Sequence, residues 1–121
     1  MLEVAAEVGR GVELLSEYDY PGHCELAYTP LVVTHGDGVT YDEFVTDEAM
    51  RSFLWTTYQV RTIDNETYYI AKAAREHGVP FIAFRAVDGI ASYDDYQTYW
   101  ALAANNAAIT ALAFLQAWTE Q

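Results

Sequence analysis

The sequence is poor in cysteine, in basic residues and in long apolar runs. Its single cysteine, Cys24, cannot form an internal disulfide, so cysteine usage leaves the redox compartment open. Only 6 Lys and Arg stand against 18 Asp and Glu, and the net charge of −12 repels nucleic acids and anionic membrane surfaces. No apolar run reaches the roughly 20 residues of a membrane-spanning helix, and the first residues lack the basic start of a signal peptide. We therefore expect a soluble protein, cytoplasmic or secreted, that binds neither nucleic acid nor membrane.

Aromatic residues, in contrast, are abundant for the length of the chain. The 121 residues are enough for one domain, which we take to run over residues 1–121, and they include 10 Tyr and 3 Trp. Large aromatic side chains are favoured at interfaces. The excess therefore indicates either a surface covered by a partner or an aromatic-rich core.

Four segments carry apolar residues at helical spacing. They predict helices over residues 1–17, from a cap at Thr46 or Asp47 to Tyr58, from Glu66 to His77, and from about Tyr93 to Thr119. The third helix ends before Gly78, a residue suited to the left-handed position that follows a helix.

Three short apolar runs, at residues 31–34, 60–64 and 81–84, predict strands between these helices. Alternating helices and strands favour an α/β fold, with three layers in the order αβα and a mostly parallel sheet. Three strands would leave two apolar sheet edges exposed, and folded proteins normally pair or cover such edges. We therefore expect the chain to belong to a larger assembly.

Polar residues follow each predicted strand: Asp37 and residues 41–44, then residues 64–66, then Arg85 and Asp88. Parallel strands end on one side of a sheet, so these groups are expected to converge on one cleft.

Each of these residues also has an ordinary structural interpretation. Glu66 suits the positive end of a helix dipole, and Asp88 begins an Asp-Gly turn. Arg85 could be a paired structural cation, and Phe44 a core residue. As functional groups, Glu66 could accept hydrogen bonds from sugar hydroxyls, and Asp88 could be a general acid if burial raises its pKa.

Other kinds of site are poorly supported. The three histidines and Cys24 have no spacing that suits a metal, so we expect no metal site. The serines lack the context of a hydrolase nucleophile, and His35-Gly36-Asp37-Gly38 lacks both common phosphate-loop patterns.

Four blocks of sequence, in order, resemble the C-terminal half of the purine and uridine phosphorylase superfamily, which includes nucleosidases and bark-storage proteins. They are Gly38-Val39-Thr40 with Phe44-Val45, Ile63-Asp64-Asn65-Glu66-Thr67, the run from Val79 to Val87, and Ala103-Ala104-Asn105-Asn106-Ala107-Ala108. The resemblance implies that the chain is the C-terminal half of a nucleoside phosphorylase-like fold.

The resemblance also implies roles for particular residues. Asp88 would be the catalytic acid that protonates the base, Glu66 would bind the ribose hydroxyls, and Phe44 would stack on the base. Asn65, where the family has methionine, and Arg85 would be further substrate contacts. No cofactor is implied, apart from phosphate as co-substrate in a phosphorylase.

The family's phosphate loop lies in its N-terminal half, to which nothing here corresponds. We therefore expect part of a nucleoside phosphorylase or nucleosidase for purine-type nucleosides, completed by a complementary N-terminal polypeptide or precursor half and oligomeric. The main alternative is a non-catalytic storage or nucleoside-binding protein. Asn65, the bulky Tyr68 and Tyr69, and the lack of a serine before Asp88 favour that alternative. A regulatory domain unrelated to nucleosides is a third possibility.

Overall fold

A computed structural model of the protein describes residues 1–89 and 93–120. Its elements, in chain order, are α1 (Leu2–Gly11), β1 (Glu17–Tyr18), β2 (Cys24–Glu25), β3 (Asp37–Thr40), α2 (Glu48–Tyr58), β4 (Val60–Asp64), α3 (Thr67–Glu76) and α4 (Tyr93–Thr119). This mixture of helices and small sheets is consistent with the expected α/β class. None of the helices within the described residues is long and apolar enough to cross a membrane.

The chain divides into two compact units. Among the described residues, the first unit comprises residues 1–35, 84–89 and 94–120, and the second comprises residues 36–83 and residue 93.

The first unit is built from α1, a small antiparallel hairpin of β1 and β2, and the long helix α4. Its buried apolar residues come from all three parts: Val4, Ala5, Cys24, Ala101, Leu102, Ala103 and Phe114. Two polar side chains of α4, Asn106 and Thr110, are buried with them. The amide of Asn106 donates to the Leu15 carbonyl at 2.9 Å and accepts from the Leu15 N–H at 2.8 Å, which ties the segment after α1 to α4.

The second unit is a strand, helix, strand and helix in succession, with β3 and β4 paired in parallel. Gly38 lies opposite Thr62 in this pair, and Thr40 lies opposite Asp64. A Cβ at Gly38 would stand 2.7 Å from the Thr62 hydroxyl oxygen. Glycine is therefore required for this approach of the two strands.

Three predicted helices have the expected ends. Asp47 caps α2 by accepting the Ala49 N–H at 2.9 Å, which selects it over Thr46. Beyond α3, Gly78 has a φ of 66°, as expected of a glycine that follows a helix. The last helix has the predicted bounds.

The prediction for the first helix was wrong at its end, since α1 stops at Gly11 and not near residue 17. Gly9 explains part of the difference, because a Cβ there would stand 2.9 Å from the Val32 side chain. The two glycines lower helix propensity, so the helix persists only as far as packing supports it.

Two of the three predicted strands were also wrong, because residues 31–34 and 81–84 form no strand. An apolar side chain from each run packs within the first unit instead. Val32 lies against Gly9, and the ring centroids of Phe84 and Phe114 are 5.2 Å apart. The partner of the correctly predicted strand, β4, is the glycine-containing segment Asp37–Thr40, for which the sequence predicted no strand. Strand formation depends on a hydrogen-bonded neighbour as well as on β-branched composition.

Candidate functional site

Two of the predicted polar segments lie side by side at the carboxyl ends of β3 and β4. The chain continues from β3 with the Tyr41 N–H donating to the Asp64 carbonyl at 2.8 Å. The Asn65 side chain reaches back and donates to the carbonyls of Tyr41 and Glu43, the latter at 3.4 Å. The loops after the two strands are therefore joined by hydrogen bonds, as expected for parallel strands.

Asp37, which we expected in the same group, lies elsewhere. It is the first residue of β3, opposite Val60, and so stands at the other end of the strand from Thr40. The expectation was wrong because the strand comes later in the chain than the apolar run suggested.

The Asp64 carboxylate organises the start of α3. Its Oδ1 accepts the Glu66 N–H at 3.1 Å, the Thr67 N–H at 2.9 Å and the Thr40 hydroxyl at 2.9 Å. Its Oδ2 accepts the Thr67 hydroxyl. The Thr40 hydroxyl oxygen in turn accepts the Tyr68 N–H at 2.8 Å. Strand β3, strand β4 and the first turn of α3 are thereby joined in one half-buried network.

Glu66 occupies the position just before α3, and its carbonyl accepts the N–H groups of Tyr69 and Ile70 at 3.1 and 3.2 Å. The residue is exposed. A negatively charged side chain near a helix N-terminus interacts favourably with the helix dipole. The location therefore gives Glu66 the chemistry of a hydrogen-bond acceptor at the surface, beside the joined loops.

Two tyrosines complete the surface next to Glu66. The Tyr69 hydroxyl donates to Asp42 at 2.6 Å, and this hydrogen bond raises the pKa of Tyr69. The rings of Tyr68 and Tyr69 meet edge to face with their centroids 5.5 Å apart. An open depression of about 520 Å³ is lined by Thr40, Tyr41, Asp42, Glu43, Tyr68 and Tyr69.

Phe44 belongs to the loop after β3, and its side chain is 51% exposed while the adjacent Val45 is buried. Within this chain, the core position of the segment is therefore taken by Val45 and not by Phe44.

Asp88 and Arg85 belong to the first compact unit, in a segment without regular secondary structure. Asp88 is half-buried, and removal of its carboxyl from water raises its pKa; the negative charge of Asp95 acts in the same direction. The Asp95 side chain lies against Gly89, where it leaves no room for a Cβ atom. Arg85 is exposed.

The sequence reasoning missed Thr40 and the capping role of Asp64. Asp64 and Thr67 have the spacing of a helix-capping residue and the N–H that it accepts, so a signal for that role was present. No local signal marks Thr40, because its partners lie 24 and 28 residues away in the chain. Within residues 1–89 and 93–120, no three His, Cys, Asp or Glu side chains are grouped so that they could hold a metal ion.

The fold and the joined loops describe an α/β protein with carboxylates at the ends of parallel strands, an arrangement common among enzymes and binding proteins for small molecules. Residues 17–116 match the Phosphorylase superfamily, and the chain belongs to that family. Comparisons with curated proteins and with solved structures find no match. Membership of the family confirms the resemblance seen in the sequence and indicates a nucleoside phosphorylase-like function.

Proposed function

We propose that the protein is part of a nucleoside phosphorylase or nucleosidase that cleaves the N-glycosidic bond of a purine-type nucleoside. The observation that carries this proposal is the match of residues 17–116 to the Phosphorylase superfamily. We further propose that the chain contributes the C-terminal half of a three-layer αβα fold and that an N-terminal half completes it.

Cleavage of an N-glycosidic bond develops positive charge on the ribose and negative charge on the departing base. A catalyst must therefore hold the sugar and protonate the base as the bond breaks. We assign the first task to Glu66 and the second to Asp88. Phosphate in a phosphorylase, or water in a nucleosidase, then captures the sugar, and no other cofactor is required.

The location of Glu66 supports its assignment to the ribose. It is exposed at the start of α3, where a negative charge interacts favourably with the helix dipole. An ionised carboxylate accepts hydrogen bonds from two neighbouring hydroxyls, and bonds to charged groups are stronger than those between neutral groups.

The environment of Asp88 supports its assignment as the acid. Burial raises its pKa, so the carboxyl retains its proton to a higher pH than an exposed aspartic acid does. A proton available nearer to neutral pH is what protonation of a leaving base requires.

Phe44, Asn65 and Arg85 are assigned to further substrate contacts. The half-exposed ring of Phe44 offers a surface on which a base can stack. The Asn65 amide nitrogen donates to backbone carbonyls, so we assign any substrate contact of this residue to its side-chain oxygen. Arg85 is exposed and offers a cation in the same segment as Asp88.

Exposed apolar side chains support the proposal of a completing half. Leu31 is 73% exposed and Val33 57%, although both lie in the apolar run at residues 31–34, and Val87 is 61% exposed. The parallel sheet among the described residues has only two strands, and short sheets are marginal without further packing. We propose that a complementary N-terminal polypeptide or precursor half covers such surface and supplies the phosphate side of the site, within an oligomer.

A non-catalytic nucleoside-binding or storage protein is the second candidate. Two observations favour this candidate. The Asn65 amide is already hydrogen-bonded to the loop carbonyls, and the bulky Tyr68 and Tyr69 lie beside Glu66. Both candidates predict nucleoside binding, but only the enzyme predicts release of free base.

The test begins with native mass spectrometry of the purified protein, which reveals any second polypeptide. The same preparation is then incubated with adenosine or inosine, with and without phosphate, and free base is measured by chromatography. Release of base is the expected result for a complex of this chain with a second polypeptide. Nucleoside binding without release by that complex would contradict the enzyme and favour the binding protein. A spectrum that shows this chain alone would contradict the completing half and favour the binding or storage protein.

Two substitutions test the assigned roles. Asp88→Asn should reduce turnover by about a hundredfold or more while nucleoside binding survives, because it removes the proton donor. Asp94→Asn, at a nearby exposed carboxyl, should leave turnover unchanged. Glu66→Ala should weaken binding about tenfold or more, whereas Glu76→Ala, at the other end of α3, should not. Unchanged turnover or unchanged binding would contradict the corresponding role.

A further inference from the structure

At the start of α3, side chains from two different strands accept the backbone N–H groups. A helix normally begins with N–H groups that lack partners within the helix. Here Asp64, from the end of β4, accepts those of Glu66 and Thr67 at 3.1 and 2.9 Å. Thr40, from the end of β3, accepts that of Tyr68 at 2.8 Å. Three consecutive N–H groups are thus held by side chains of two different strands.

The Thr40 hydroxyl connects the two acceptors. Its single proton goes to Asp64 at 2.9 Å, and a lone pair on the same oxygen accepts the Tyr68 N–H. Both bonds depend on one oxygen atom, and the half-buried location of Thr40 and Asp64 limits replacement by water. The backbone of Glu66, between Asp64 and Tyr68 in the chain, is consequently tied to both strands of the parallel pair.

We propose that Thr40 and Asp64 are positioning residues that hold Glu66 where its carboxylate meets the sugar, and that this network sets a preference for ribose over 2′-deoxyribose. The inference rests on the proposed ribose role of Glu66 and adds the residues through which that role is enforced. A hydrogen bond is lost steeply with distance and angle, so a carboxylate displaced by about 1 Å no longer distinguishes the two sugars.

The network is tested with Thr40→Val, which keeps the shape of the side chain but can neither donate nor accept. Thr40→Ser restores the hydroxyl. The matched control is Thr56→Val on α2, which removes a threonine hydroxyl bonded to the Ser52 carbonyl at 2.8 Å in the same compact unit. Dissociation constants for adenosine and 2′-deoxyadenosine are measured by calorimetry for each variant, on the protein as purified.

The unmodified protein is expected to bind adenosine about tenfold more tightly than 2′-deoxyadenosine, as one hydrogen bond to a carboxylate implies. Thr40→Val should reduce this ratio toward 1, and Thr40→Ser and Thr56→Val should keep it. Hydrogen exchange supplies a second measurement that needs no nucleoside. The Tyr68 amide should exchange at least tenfold faster in Thr40→Val than in Thr56→Val, because its acceptor is gone.

The possible failures are distinct. If Glu66→Ala removes the preference for ribose but Thr40→Val preserves it, the positioning inference is wrong and the ribose role of Glu66 stands. If Glu66→Ala also preserves it, or no nucleoside binds, the ribose role is wrong and the inference with it. Should Thr40→Val fail to fold, Asp64→Asn replaces it. That variant removes the charge but keeps one acceptor oxygen, and an undiminished ratio would overturn the inference.

Discussion

Replacement of Asn106 by alanine should destabilise the first compact unit much more than replacement of its neighbour Asn105. Asn106 is 7% exposed and makes two hydrogen bonds to the backbone of Leu15, at 2.8 and 2.9 Å. Asn105 makes a bond of 2.8 Å to the carbonyl of Ala101, within its own helix. The first side chain joins distant parts of the chain, and the second does not.

The expected magnitude follows from these contacts. Each net hydrogen bond contributes about 1 kcal/mol, so Asn106→Ala should cost about 2 kcal/mol. Leu15 is 36% exposed, so water can reach its freed backbone groups and keeps the cost from rising further. Both substitutions place alanine in the interior of α4 and gain a similar helix propensity. Asn105→Ala loses one bond within α4, and the gain in helix propensity offsets about half of that loss, so this variant should lie within about 0.5 kcal/mol of the unmodified protein. The larger cost of Asn106→Ala reflects the loss of a second bond and the release of Leu15.

The assay is urea unfolding followed by circular dichroism, together with hydrogen exchange at the Leu15 amide. Asn106→Ala should lower the unfolding midpoint and accelerate exchange at Leu15, and Asn105→Ala should do neither. Equal midpoints and equal exchange rates for the two variants would refute the reasoning, because they would show that the bonds to Leu15 contribute nothing.

Two other predictions concern Asp88 and the glycine after α3. The pKa of Asp88 is raised in the folded protein, so its ionisation opposes folding above that raised value, and the cost disappears as pH falls to the ordinary value of 3.8. Asp88→Asn should therefore raise the thermal unfolding midpoint at pH 7 but not near pH 3; equal stabilisation at both values would contradict the raised pKa. Gly78→Ala should cost about 1 kcal/mol in urea unfolding, because φ is 66°. Gly11→Ala, with nothing near its added methyl group, should leave the free energy of unfolding unchanged or raise it. A larger loss of stability in Gly11→Ala than in Gly78→Ala would contradict this reasoning.

The helices were predictable because their signals are local. The apolar stripe and the bounds of α4, the cap at Asp47 and the glycine at position 78 all depend on residues within a few positions of one another. Helical hydrogen bonds join residues four apart, so composition over a short window carries most of the information.

The strands were less predictable because pairing joins residues far apart. Residues 31–34 and 81–84 have strand-like composition but form no strand, and Asp37–Thr40 forms one because it lies against β4. In the candidate site, the sequence predicted that residues 41–44 and 64–66 lie close together, and hydrogen bonds join these two loops. The raised pKa of Asp88 was not predictable from the sequence, because desolvation of its carboxyl depends on the packing around it.

The amino-acid sequence was sufficient for the family, the α/β class and three of the four helices, since these depend on residue order and short-range periodicity. The bond between Thr40 and Asp64 spans 24 residues, and the one between Leu15 and Asn106 spans 91. No local pattern specifies such pairs, because each forms only where the folded backbone brings a donor within about 3 Å of its acceptor.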